Sequence, residues 1–176
     1  VPKLLQDHRH ALDRLQQQGN DAFRAKDYPR AIRFYTDAIA KAGELNAPSP
    51  KKLQASRAAQ LYANRCQAHL SSGDDAAALA DANSAIKSAP GWPKAYYRHG
   101  TCLMRQKLYM QAHQVFQRGK QLDANNEELI KACKQAEEAI AKQGDSSGDA
   151  TQTMPSANAD DGKLSGSALT HRLPLL

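Results

Sequence analysis

Residues 59–92 and 93–126 are one thirty-four-residue unit written twice. Cys66 and Gly100 stand thirty-four apart, as do Asn64 and Arg98, and Ala78 and Ala112. Gly19 and Ala31 stand forty-seven residues before Cys66 and Ala78, which is the same period plus thirteen inserted residues. A fixed period of this length constrains the chain more than any composition figure. It marks stacked helical hairpins, each too small to bury its own apolar face and each completed by the next. Such arrays leave one long surface free for a partner, so the question becomes what the surface holds.

The local signals place the helices. Helix is expected over 3–18 and on to about Ala25, followed by the turn Lys26-Asp27-Tyr28-Pro29 and a helix to about Ala42. Gly43, Pro48, Ser49 and Pro50 predict an interrupting loop over about 43–57. Helices at 59–71, 76–88, 94–106 and 109–122 follow, with Pro93 placed to open one of them. A last helix at 126–142 carries Leu129, Ile130, Cys133, Ala136 and Ile140 at helical spacing. These positions predict an N-terminal helical extension at 1–11, a repeat domain at 12–142 closed by the helix 126–142, and a disordered tail at 143–176, rich in Ser, Gly and Asp. The chain begins at Val1 without an initiator Met, as an excerpt of a longer protein would.

Within each unit, positions 2, 5, 6 and 9 of the first helix share a face distinct from the apolar one. That face carries Asp13, Gln16, Gln17 and Asn20, then Gln60, Ala63, Asn64 and Gln67, then Lys94, Tyr97, Arg98 and Thr101. The surface is rich in amides and becomes cationic at the third unit. The net charge of +6 at pH 7 favours an acidic partner. Nucleic acid is not expected, because the bases are scattered and this face offers one aromatic, Tyr97. No apolar run reaches the ~20 residues of a membrane helix, so membrane insertion is not expected. Cys66, Cys102 and Cys133 fall inside helical patterns with no Cys-x-x-Cys pair, as expected of free thiols in the cytoplasm. There is no His-Glu-x-x-His, P-loop, dinucleotide fingerprint or Gly-x-Ser-x-Gly. His8 and His10 do not share a helix face and make a poor metal pair. No catalytic residue, metal or cofactor is expected, and neither is an enzyme.

The units read Leu15-x-x-Gln18-Gly19-x-x-Ala22-Phe23 with Ala31-x-x-x-Tyr35, Tyr62-x-x-Arg65-Cys66 with Ala78-x-x-x-Ala82 and Pro90, and Tyr96-x-x-His99-Gly100-x-x-Leu103 with Ala112-x-x-x-Phe116. This resembles the tetratricopeptide repeat. Gln18, Arg65 and His99 stand where the family usually has Leu. The resemblance implies an all-α, right-handed superhelical array of three helix-turn-helix units plus a C-terminal capping helix. It further resembles the carboxylate-clamp class, found in Hop/Sti1-type organisers, UNC-type myosin chaperones and outer-mitochondrial co-chaperones. That class holds the Glu-Glu-Val-Asp termini of the seventy- and ninety-kilodalton heat-shock chaperones. Its clamp positions are Gln16, Asn20, Asn64, Lys94 and Arg98 here, four of them matching and Gln16 replacing a Lys. Gln67, Tyr97 and Thr101 are secondary groove positions. The alternative expectation is a general scaffold that binds an internal peptide or a surface, with the clamp residues incidental.

Overall fold

The structure, a computed structural model, describes residues 3–44 and 51–145. Among them are seven helices and no strand: α1 (Lys3–Arg24), α2 (Tyr28–Gly43), α3 (Lys51–Ser72), α4 (Asp75–Ser88), α5 (Pro93–Arg105), α6 (Tyr109–Leu122) and α7 (Glu127–Asp145). The expected tail lies outside the described residues from 146 onward.

The helices pair as α1/α2, α3/α4 and α5/α6, with α7 closing the end, and α3 also touches α5. Local chemistry sets the ends. Asp27 caps α2 by accepting from Arg30 N at 3.1 Å, and Asp74 caps α4 by accepting from Ala77 N at 3.0 Å. Each hairpin turn is then closed by the same double bond pattern. Asp27 N donates to Ala22 O and Lys26 N to Phe23 O; Asp74 N donates to His69 O and Gly73 N to Leu70 O; Leu108 N donates to Leu103 O and Lys107 N to Met104 O. This Schellman closure puts its turn residue at positive φ. The residues are Lys26 (60°), Gly73 (87°) and Lys107 (61°), so only the middle unit has the unstrained glycine. The two lysines carry a cost of about 1–2 kcal/mol each.

One boundary differs from the sequence expectation. Helix α3 begins at Lys51, inside the stretch expected as loop up to residue 57. Pro50 is the last turn signal, and the Lys, Leu, Gln, Ala and Arg that follow are strong helix formers. Residues 45–50 are outside the described set. Helix α7 extends to Asp145, slightly past the expected end.

The core is built from small residues that admit large ones. Gly19 faces the Tyr35 ring, and a Cβ there would lie 2.6 Å from its Cε1. Gly100 stands in the same relation to Phe116. The middle unit reverses the sizes, with Cys66 fully buried opposite Ala82. Gly100→Ala is therefore expected to overpack the interior and cost about 1–3 kcal/mol. Urea denaturation checks this, and a change within a few tenths of a kcal/mol would refute it.

Candidate peptide-binding groove

Helices α1, α3 and α5 are the first helices of their units and lie side by side. From them Asn20, Phe23 and Arg24 of α1, Asn64 and Gln67 of α3, and Arg98 of α5 converge on a cavity of about 210 Å³, with Tyr35 of α2 at its back. So Asn20, Asn64, Gln67 and Arg98, drawn from three units, meet at one place. Gln16, Lys94, Tyr97 and Thr101 do not line it. At position 5 of each first helix, Ala63 is buried, and Gln16 and Tyr97 are half-buried. Tyr97 packs against Phe116 with ring centroids 6.2 Å apart. The Thr101 hydroxyl donates to Tyr97 O at 2.8 Å. Lys94 is exposed, one turn before Arg98 on the same helix.

The orientation of Asn20 is set from behind. The Tyr35 hydroxyl donates to Asn20 Oδ1 at 2.9 Å, which leaves the two amide N–H groups to donate elsewhere. Burial pushes the Tyr35 hydroxyl up to about 12, with nearby Arg24 pulling weakly the other way, so it stays a donor at every physiological pH. Tyr35 also fills the core, and its reach to Asn20 depends on the packing of α2 on α1. Tyr35→Phe is expected to weaken ligand binding about three- to tenfold, the worth of one hydrogen bond, while keeping the fold. Calorimetry beside a thermal melt checks it, and unchanged affinity would mean Asn20 needs no such support.

Arg98 is the cationic wall. Its Nη1 donates to Gln67 Oε1, and its guanidinium sits 5.9 Å from the Tyr97 ring centroid. Its Nε is buried and finds no acceptor among the described residues. Arg24 supplies a second guanidinium, joined to Asp21 at 2.9 Å. Among the described residues, no carboxylate lines the cavity. The groove's acid, Asp13, is neutralised by Arg57 at the start of α3. Phe23 and Arg24 were missed as lining residues, although they stand three and four residues past Asn20 and so share its face.

Two other features bear on the groove. Cys66 and Cys102 bring their sulfurs to 3.6 Å in the core between α3 and α5. The hydrogen bond with the neighbouring thiol and burial push Cys66 up, and the same hydrogen bond pulls Cys102 down. A larger cavity, about 510 Å³, lies between the start of α3 and the α4–α5 turn, lined by Ser56, Gln60 and the stretch from Ser88 to Trp92. It brings no charged side chain together. Among the described residues, no group of three His, Cys, Asp or Glu could hold a metal, and no helix is long and apolar enough to cross a membrane.

Comparison with known proteins agrees with this architecture. No protein-family model matches the chain. It is 34% identical over 148 residues to the small glutamine-rich tetratricopeptide repeat-containing protein 2 of Mycosarcoma maydis, covering 84% of this chain and 38% of that protein. It is 30% identical over 165 residues to the Hsp70-Hsp90 organizing protein of Triticum aestivum, covering 93% of this chain and 25% of that protein. The chain thus spans well under half of these relatives. Among solved structures, the second such domain of human RPAP3, in complex with the HSP70 peptide SGPTIEEVD, superposes with a TM-score of 0.62 at 26% identity, over 74% of this chain and 98% of that one.

Three helical hairpins in a thirty-four-residue period, a closing helix and a polar groove across their first helices define a tetratricopeptide-repeat domain. Within that class the chain is homologous to the repeat domains of the Hsp70-Hsp90 organizing and small glutamine-rich proteins.

Proposed function

We propose that this groove captures the free, acidic C-terminus of a partner, of the Glu-Glu-Val-Asp type carried by the seventy- and ninety-kilodalton heat-shock chaperones. The domain then acts as a non-catalytic co-chaperone module in the cytoplasm. The observation that carries this reading is the convergence of Asn20, Asn64 and Arg98 on one small cavity, with a buried Arg98 N–H that lacks an acceptor. A terminal aspartate presents two carboxylates. The Asn20 and Asn64 amides donate to one without adding charge. Arg98 binds the other through charge-assisted bonds. Lys94, on the rim, attracts acids further along the peptide. Gln16 stands outside the cavity and lacks the charge of the Lys that the clamp class has at its position. Further support is the relative solved with a bound peptide ending in Glu-Glu-Val-Asp.

The test is calorimetric titration with a chaperone C-terminal peptide beside its C-terminally amidated twin. Micromolar binding, about −8 kcal/mol, that disappears on amidation is expected. Equal binding of both forms would refute a carboxylate clamp and favour an internal-peptide scaffold.

A further inference from the structure

We propose that Arg24 reads an acidic side chain upstream of the peptide's terminal residue, supplying from one end of the groove the charge that Gln16 does not supply at the other. The inference rests on the clamp reading above.

Gln16, Asn20 and Arg24 are spaced four apart on α1 and form one stripe. Each step is a rise of about 6 Å. Gln16 and Arg24 therefore flank Asn20 on opposite sides along the helix. Only Arg24 lines the cavity with Asn20, Asn64 and Arg98; Gln16 and Lys94 do not. A carboxylate fixed at Asn20 and Asn64 leaves the rest of an extended peptide advancing about 3.3 Å per residue. An acid about two residues back then falls level with Arg24.

Arg24 is free to make that exchange. Its present partner, Asp21, is 2.9 Å away, and the two side chains are 68% and 55% exposed. An exposed pair of this kind holds its members weakly. Asp21 also accepts from Gln17 Nε2 at 3.0 Å, so it keeps a donor when Arg24 turns to a ligand. The cavity itself offers Arg24 no competing carboxylate.

The experiment is a binding matrix read by fluorescence anisotropy. The peptides are the parent Glu-Glu-Val-Asp terminus, its two single Glu-to-Gln forms and its amidated form. The proteins are the parent chain, R24Q and D21N, each first checked by thermal melt. R24Q is expected to weaken the parent peptide about three- to tenfold. It should leave unchanged the one Gln peptide that has already lost Arg24's partner. D21N should tighten the parent peptide about two- to threefold, because the competing carboxylate is gone. Equal losses from R24Q on every peptide, or none on any, would overturn the assignment while the amidated control keeps the clamp intact. If the amidated peptide binds as well as the free one, the clamp reading has failed and the role of Arg24 fails with it.

Discussion

Replacing Arg65 by alanine lowers the stability of the array by about 3–5 kcal/mol. The expectation comes from Asp81, whose side chain is 6% exposed and is gripped at both oxygens, by Arg65 Nε at 2.8 Å and Nη2 at 2.7 Å. The hydrogen bond to Asp81 also raises the guanidinium's pKa. Arg65 Nη1 extends the grip to Thr36 Oγ1 at 2.9 Å, tying the second unit to the first. Removing the arginine leaves a carboxylate in the interior with His69 Nε2 3.8 Å away as its remaining ion-pair neighbour among the described residues. The pair is not needed for the fold as such. The equivalent positions are Gln18 with Phe34 and His99 with Val115, which form no ion pair. Arg65→Met with Asp81→Leu should therefore recover most of the loss, since a buried pair is replaceable by apolar groups of similar volume. Urea titration of the three proteins decides it. A loss below about 1 kcal/mol for Arg65→Ala would mean that water reaches Asp81 and holds it.

Arg98→Ala removes peptide binding or weakens it about 10- to 100-fold, following the ~1.5–3 kcal/mol that a hydrogen bond to a charged group contributes. Stability should change little. The side chain's protein partners are one amide oxygen and the Tyr97 ring, and its Nε is already unsatisfied. Calorimetry with the free-carboxylate peptide, run beside a thermal melt, separates the two effects. Undiminished affinity in a folded Arg98→Ala protein would remove the clamp. Lys94→Ala should act more gently and lose its effect in high salt, because Lys94 is exposed and stands outside the cavity.

The sequence made the repeat legible because size alternation leaves a periodic trace: Gly19 against Tyr35 and Gly100 against Phe116 are spelled in the chain. The α3 boundary was not legible, since turn residues announce where a helix stops more clearly than where the next begins. Arg65 stood out as a polar residue where the family has Leu, but its reason lies sixteen residues on, at a position that reads as apolar in the other two units. Attending to Asp81 among its equivalents Phe34 and Val115 would have paired them. Asn20, Asn64 and Arg98 could be lined up by register alone. That Tyr35 orients Asn20 could not, because it depends on how closely α2 packs against α1. Arg24 was hidden for another reason: the family pattern draws the eye to the clamp positions, and Arg24 lies one turn beyond them.

The cavity takes its walls from α1, α2, α3 and α5, and so spans both junctions between the three units. In a stacked array, cohesion passes only from neighbour to neighbour. A peptide gripped at Asn20, Asn64 and Arg98 works as a splint laid across those joints. Occupancy is then registered as stiffness along the length of the rod: amides at the two junctions should slow their hydrogen exchange together, while those of α7, beyond the splint, keep their own pace. A segment fused to either end would feel a full groove as a firmer footing, with no change of shape required.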